Sequence, residues 1–135
     1  MTSPYQLFGT DKELETGKGV TLEYPGFSIT IHRAGGANKK FAKTLAEKMN
    51  PHRQRFERGL LDDDTSQKIL VETYAEAVVV GWKDVKDATG KKIPFTVENA
   101  VKLFIDLPDL FNDVKAQANN AAVFRQENEK VEAKN

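Results

Sequence analysis

The sequence predicts an α+β fold that is mainly α, in which an N-terminal β-hairpin precedes about five helices packed as one small domain. Residues 19–36, GVTLEYPGFSITIHRAGG, alternate apolar and polar side chains around a Pro-Gly pair, which is typical of two strands joined by a tight turn. After residue 38 the apolar residues recur instead at helical spacing. The chain has 135 residues, a length suited to a single core.

The hairpin is expected to follow a flexible N-terminal arm, residues 1–18, because this stretch is polar and lacks a period. The domain itself is predicted to span 19–125. Val20, Leu22 and Tyr24 share one face of the first strand. Because a two-stranded hairpin alone is only marginally stable in water, it must pack on the helices or pair with another chain, and the sequence leaves both possibilities open.

Three helices are predicted in the middle of the chain. The first covers 38–49 with Asn38 as its N-cap, and a short second helix begins at Pro51. The longest begins at the three Asp residues 62–64, where the helix dipole favours negative charge. We predict that it continues as a fully buried helix through AVVVGW, residues 77–82, although the Val residues there also suit an extended chain.

Two further helices are predicted after a glycine-containing turn. The segment IPFTVENAVKLFIDLPDLFNDV, residues 93–114, has helical periodicity on both sides of Pro108, which the first turn of a helix tolerates. Thr96 is the predicted N-cap of the first helix, and Asp106 is the candidate cap of the second. A last helical turn or two should then lead into a charged C-terminal tail, residues 126–135.

The composition excludes several classes of site. The sequence has no Cys, which excludes disulfides, thiolate metal sites and a Cys nucleophile. No apolar run approaches the roughly 20 residues needed to span a bilayer, so we expect no membrane partner. The net charge is zero, but residues 31–61 carry eight Lys or Arg against two Glu and lie between acidic flanks. The basic middle therefore matches either the rest of the fold or an acidic partner.

The polar motifs predict no catalytic residue, metal ligand or cofactor. The Asp run at 62–64 lacks the spacing of a calcium loop, and the turn DATGKK, residues 87–92, lacks the first glycine and the Ser or Thr of a phosphate-binding loop. His32 and His52 have no Ser or acid pair beside them in the sequence. A row of carboxylates on one helix face suits a solvated or partner-facing strip better than acid–base work, and it consists of Asp106, Asp109 and Asp113.

An ordered set of motifs resembles the tail assembly chaperones of long-tailed bacteriophages. A helix with Phe and Leu comes first and is followed by a basic segment that contains a Pro. The end of a longer helix, a short glycine turn and a Leu-Pro-Asp-Leu junction between two helices then follow in the order typical of that family. In this chain the later motifs are YAE at 74–76, WK at 82–83, Gly90, PFTVENA at 94–100 and LPDL at 107–110. The resemblance covers roughly residues 18 to 125, and the order of the motifs carries it.

The resemblance implies a non-enzymatic protein that is made in the cytoplasm of the infected host. Such a protein binds the tape measure protein, keeps it in solution and recruits the major tail tube protein. It leaves as the tube polymerises and is not expected in the mature virion. Self-association along the tape measure is also expected.

A protein that holds helical segments should offer an apolar groove rimmed by charge. Residues 93–114 suit one wall of such a groove, with simple core packing as the alternative for each apolar side chain. The candidate apolar contacts are Leu103, Phe104, Leu107, Leu110, Phe111 and Val114. The candidate basic contacts are Lys39, Lys43, Arg53 and Arg55.

Two other functions stay open at this point. The chain could be a structural virion protein, such as a tail completion or connector subunit. It could also be a nucleic-acid-binding module that uses the basic segment 39–58. Phe41 and Phe56 lie in this segment and aromatic rings can stack on bases, but Phe41 belongs to the apolar stripe and is expected in the core. Because the domain has no net charge, we place nucleic-acid binding below protein binding.

Overall fold

The computed structural model describes residues 3–125 and 130–132, which form an α+β fold. An N-terminal strand pair is followed by several helices, as the sequence predicts. The helices are α1 (Pro4–Phe8), α2 (Lys12–Thr16), α3 (Lys39–Met49), α4 (Arg53–Glu57), α5 (Asp63–Ala77), α6 (Val97–Asp106) and α7 (Pro108–Ala118). Short 3₁₀ turns are present at Asn50–His52 and Ala121–Phe124.

The described residues also form a sheet of four strands in the spatial order β3-β2-β1-β4. The strands are β1 (Val20–Tyr24), β2 (Phe27–Ile31), β3 (Val79–Lys83) and β4 (Lys130–Glu132). Strand β2 pairs antiparallel with β1 and with β3, whereas β4 lies parallel to β1. The hairpin is therefore paired on both sides within its own chain.

One hydrophobic core joins the sheet to the helices. Alternate residues of β1 and β2 are buried, as the period of two predicts, and they pack against α5, α6 and α7. Tyr74 of α5 lies at the centre of an aromatic cluster, with its ring 5.3 Å from that of Phe41 and 5.4 Å from that of Phe111. Phe104 extends the cluster from α6, with its ring 5.4 Å from Phe111.

The N-terminal arm differs from the prediction because residues 11–18 belong to the packed domain. Leu14 is fully buried, and Glu15 of the same helix is buried as well. The Glu15 carboxylate accepts hydrogen bonds from the Thr10 hydroxyl at 2.6 Å and from the Ala37 N–H at 3.1 Å, and it forms an ion pair with Arg33 at 3.1 Å. These contacts fix α2 against the chain that leaves the hairpin.

The prediction that the longest helix continues through residues 77–82 is wrong. Helix α5 ends at Ala77, and the next residues form β3 at the edge of the sheet. Val80 is 42% exposed, so the run is not fully buried either. The helix gives way to a strand because β2 offers a pairing partner for its β-branched residues.

Two predicted helix caps also have other roles. Asn38 precedes α3, but its side chain makes no capping bond there; its Nδ2 donates to the carbonyl oxygens of Arg33 and Ala77, each at 2.8 Å. Asp106 is the last residue of α6, and Leu107 is the residue that precedes α7. The predicted cap at Thr96 is confirmed, because its hydroxyl accepts from the Asn99 N–H at 3.0 Å.

The C-terminal prediction is corrected in part. A 3₁₀ turn replaces the last helical turn, and within the predicted tail residues 130–132 form β4. Residues 126–129 and 133–135 of that tail lie outside the described residues.

Candidate partner-binding surface

An apolar groove lies between the turn of the hairpin and the first half of α7. It has a volume of about 730 Å³. Its apolar lining comes from Tyr24, Pro25, Phe27, Leu107, Leu110 and Ala116, and its polar lining from Asp109, Asn112 and Asp113. We call it the hairpin–α7 groove.

The hairpin wall of this groove is a pair of stacked aromatic rings. The rings of Tyr24 and Phe27 lie 4.9 Å apart at an angle of 9°. The two residues flank the Pro-Gly turn, where Gly26 has a φ of +89°, a value that glycine adopts without strain. The tight turn therefore presents both rings on one side of the hairpin.

A hydrogen bond ties the two walls together. The Tyr24 hydroxyl donates to Oδ2 of Asp113 on α7 at 2.6 Å. Burial raises the pKa of the Tyr24 hydroxyl well above its ordinary value, and the bond to Asp113 raises it further. The phenol therefore stays protonated at neutral pH and remains a donor to the carboxylate.

The α7 wall depends on the break at Pro108. Leu107 has φ −125° and ψ +75°, which ends α6, and Pro108 occupies the first position of α7. The side chain of Leu107 is left 49% exposed at this joint, and Leu110 is half-buried one turn further on. Sequence reasoning predicts both residues as partner contacts, and the structure brings both into the groove.

The other predicted apolar contacts lie beneath the surface. Phe104 is 1% exposed, and Phe111 and Val114 are fully buried. These three side chains cannot touch a partner in this conformation, so their role is to support the groove from the core. Leu103 is half-buried and does not line the groove.

The predicted row of three carboxylates is divided among three roles. Asp106 pairs with Lys102 one turn earlier at 2.8 Å. Asp113 accepts from Tyr24, whereas Asp109 is exposed on the rim. The groove is therefore apolar at its centre and acidic at its edge.

The predicted basic contacts lie elsewhere, on α3 and α4, and all four are exposed. Lys39 and Lys43 lie on α3, and Nη2 of Arg55 lies 2.9 Å from Nδ1 of His52. Arg53 borders a second apolar groove of about 580 Å³. We call this the α3–α5 groove, and its apolar lining is Leu45, Met49, Phe56, Leu61, Ile69 and Leu70.

The polar motifs of the sequence serve local structure. Asp62 caps α5 by accepting from the Thr65 N–H at 3.0 Å, and hydrogen bonds from Thr65 lower the pKa of its carboxyl. Asp87 accepts from the N–H groups of Thr89 and Lys91, which closes the turn before α6. Within residues 3–125 and 130–132, no group of three or more His, Cys, Asp or Glu could hold a metal ion. No helix in this described part of the chain is long and apolar enough to cross a membrane.

Sequence reasoning missed the hairpin wall. Tyr24, Pro25 and Phe27 line the groove, but their alternation identifies them only as strand and turn residues. The available signal was the pair of aromatic residues around Pro-Gly, because large rings at a solvent-facing turn need a surface to pack against.

The geometry of the described residues defines a small α+β domain with apolar surface grooves, among them one edged by acidic residues and one beside basic helices. Residues 36–135 match the family model described as YdaY prophage protein. The match covers most of the chain, and the protein belongs to this family, so it is phage-derived. No curated protein and no solved structure matches the chain.

Proposed function

We propose that this protein is a non-enzymatic tail assembly chaperone that binds the phage tape measure protein and keeps it in solution. The phage origin of the family supports this proposal, as does the order of motifs between residues 18 and 125. The observation that carries it is the hairpin–α7 groove, whose apolar walls and acidic edge suit a helical segment of another protein.

The groove would accept the apolar face of an amphipathic helix. Leu107 and Leu110 would contact that face from α7, and Phe27 would contact it from the hairpin, where the buried ring of Tyr24 supports it from behind. Asp109 on the rim favours a partner helix with Lys or Arg beside its apolar stripe. The preferred ligand is therefore a helix that is apolar on one face and basic along its margins.

A single groove of this kind gives weak binding. Full burial of a Leu or Phe side chain contributes about 1.5–3 kcal/mol, and these side chains are already partly buried. Association itself costs about 4–15 kcal/mol, so one contact leaves little net affinity. A long tape measure offers many helical segments, and several copies bound along it would gain from effective concentration.

The proposed site of action is the cytoplasm of the infected bacterium. The bound tape measure would then meet the major tail tube protein, and the chaperone would leave as the tube forms. The mature virion would not contain it. The competing candidate, a structural virion subunit, requires stable presence in purified particles.

The test is co-expression with the tape measure protein of the same phage. We expect the tape measure to become soluble and to co-purify with this chain. Leu107→Lys should abolish co-purification, because it places a charge in the apolar lining of the groove. Ile105→Lys is the matched control, since Ile105 is 51% exposed and lies outside the groove.

Two results would count against the proposal. If the tape measure stays insoluble while this protein is found in purified virions, the structural-subunit function replaces it. If both Lys variants co-purify as the unaltered protein does, the hairpin–α7 groove is not the binding surface.

A further inference from the structure

Asp113 lies in the wall of the hairpin–α7 groove, one helical turn after Asp109. Both residues line the groove, but Asp109 is exposed on the rim and Asp113 is half-buried. A charge that is partly shielded from water interacts more strongly with a partner than an exposed charge does. Asp113 is therefore the better placed of the two carboxylates for a charged contact inside the groove.

Tyr24 holds the Asp113 carboxylate in one position. The Tyr24 hydroxyl donates to Oδ2 of Asp113 at 2.6 Å. Tyr24 is 9% exposed and its ring stacks on Phe27, so the core fixes the position of the hydroxyl. A carboxylate that is already oriented loses little side-chain freedom when a partner binds to it.

The charge of Asp113 has no cation paired with it in the described part of the chain. Among residues 3–125 and 130–132, Tyr24 is the one hydrogen-bond donor to this carboxylate, and no ion pair includes it. The nearby Lys115 lies over the Phe111 ring, with Nζ 5.5 Å from the ring centroid. An ionised carboxylate has about four acceptor sites, and Tyr24 occupies one of them. Asp113 therefore keeps acceptor capacity, including Oδ1, for a donor from another molecule.

The attachment of the hairpin to α7 does not require this negative charge. In an Asp113→Asn variant, the amide oxygen could accept the same hydrogen bond from the Tyr24 hydroxyl. The bond therefore explains an acceptor at this position but not a charged one. A half-buried charge without a counter-ion costs desolvation free energy, which a cation of a bound partner would offset.

We propose that Asp113 selects the partner of the hairpin–α7 groove, and that Tyr24 is the positioning residue that orients its carboxylate. The selected partner is a helix with a Lys or Arg beside its apolar stripe, placed at the seam between the hairpin turn and α7. A helix with the same apolar stripe and Glu at that position is rejected, because two carboxylates would face each other. This inference rests on the proposed function, which assigns the groove to a helical segment.

The experiment uses three synthetic helical peptides that share one Leu stripe, flanked by Lys, by Gln or by Glu. Calorimetry measures their affinities for the folded full chain. The unaltered protein should bind the Lys peptide about tenfold or more tightly than the Glu peptide. Asp113→Asn should reduce this ratio about fivefold or more and leave the affinity for the Gln peptide unchanged, because the apolar lining is intact.

Two other carboxylates of the same region serve as comparisons. Asp106→Asn is the matched control, since Asp106 pairs with Lys102 and lies outside the groove. It changes the net charge by the same amount as Asp113→Asn and should keep the Lys-to-Glu ratio. Asp109→Asn removes a rim charge, so it should lower the association rate of the Lys peptide more than it raises the dissociation rate.

Tyr24→Phe tests the positioning role, because it removes the hydrogen bond and keeps the charge of Asp113. The Lys-to-Glu ratio should fall about twofold or more, since the carboxylate is no longer oriented. The ratio compares two ligands of the same protein, so a loss of stability affects both affinities alike and leaves the ratio unchanged. Circular dichroism confirms that each variant is folded.

Three outcomes would overturn the inference for Asp113. The unaltered protein could bind the Lys and Glu peptides equally, Asp113→Asn could keep the preference for Lys, or Asp106→Asn could reduce it as much. An unchanged ratio in Tyr24→Phe would refute the positioning role. If Leu107→Lys abolishes binding of the Gln peptide, the groove remains a helix site even where Asp113 has no role. If no peptide binds the unaltered chain, the use of the groove in the proposed function is wrong, and this inference is wrong with it.

Discussion

Replacing Tyr24 by Phe tests the bond that joins the two walls of the hairpin–α7 groove. The substitution removes a single hydroxyl group and leaves the ring in place, stacked 4.9 Å from Phe27. The hydroxyl donates to the Asp113 carboxylate at 2.6 Å. A hydrogen bond to a charged group contributes about 1.5–3 kcal/mol when it is buried. Asp113 is half-exposed, so water replaces part of the lost bond, and we expect a destabilisation of about 1–2 kcal/mol.

The pH dependence of the same variant gives a second, independent quantity. Burial raises the pKa of Tyr24 in the folded protein, and Asp113 adds to the shift. The stabilising contribution of Tyr24 is fully present below the unfolded pKa of 10.0 and is lost as pH rises above it. In that range the unfolded chain loses a proton that the folded chain keeps, so the free energy of unfolding falls by about 1.4 kcal/mol per pH unit. The Tyr24→Phe variant has no such proton to lose at this position.

Urea unfolding of both proteins, from neutral pH to values above 10.0, measures these two quantities together. The unaltered protein should be the more stable at neutral pH, and its advantage should shrink and then reverse at high pH. The pKa of Tyr74 is also raised by burial, but this residue is present in both proteins, so its effect cancels. Equal stability at neutral pH, or parallel pH profiles, would refute the reasoning.

Three further predictions concern the residues that fix α2 and the end of α5. Asn38→Ala leaves the carbonyl oxygens of Arg33 and Ala77 without their side-chain donor, so it should lower the free energy of unfolding by about 2–4 kcal/mol. An unchanged midpoint of urea unfolding would contradict these two hydrogen bonds. Burial acts to raise the pKa of Glu15, but hydrogen bonds and the charge of Arg33 outweigh burial and lower this pKa. The contribution of Glu15 to the free energy of unfolding is therefore present above pH 4.5 and is lost as the pH falls through the pKa of the folded protein. Glu15→Gln should remove this loss of stability in acid, measured by unfolding at a series of decreasing pH values. Gly36→Ala should destabilise by at least about 1 kcal/mol, measured by thermal unfolding, because Gly36 has a φ of +57° and an added Cβ would collide with the Glu15 carboxylate.

The predicted hairpin and most of the predicted helices are correct because their signals are local. Alternation around Pro-Gly specifies β1 and β2 without reference to any other segment. The period of the apolar residues in α3, α6 and α7 likewise depends on one helix face at a time. The break at Pro108 is also local, since the missing N–H and the fixed φ act on neighbouring residues.

The end of α5 could not be predicted in the same way because distant residues decide it. The side chain of Asn38 donates to the carbonyl oxygen of Ala77, the last helical residue. The His32 N–H donates to the carbonyl oxygen of Val78 at 2.7 Å, and β3 then pairs with β2. A run of Val has a weak preference for strand, and only the presence of β2 turns that preference into a structure.

Helix α2 and strand β4 also depend on distant residues, whereas helix α1 does not. Helix α1 does have a local signal, the capping box of Ser3 and Gln6, which a search for longer apolar periods does not detect. Helix α2 is fixed by the burial of Leu14 and by the bonds of Glu15, whose partner Arg33 follows the hairpin. Strand β4 lies in a charged segment, and its position depends on the free edge of β1.

One wall of the hairpin–α7 groove follows from a local sequence pattern, and the other depends on a contact between distant residues. Only the first wall could therefore be predicted. Leu107 and Leu110 belong to a helical stripe interrupted by a proline, and a stripe that changes direction leaves some apolar residues outside the core. Tyr24 and Asp113 are 89 residues apart, and no pattern in the chain connects them. The family match begins at residue 36, so it includes the α7 wall and not the hairpin wall. Binding that depends on Leu107 but not on Phe27 would therefore place the working surface within the matched region, whereas dependence on both residues would make the hairpin part of the site.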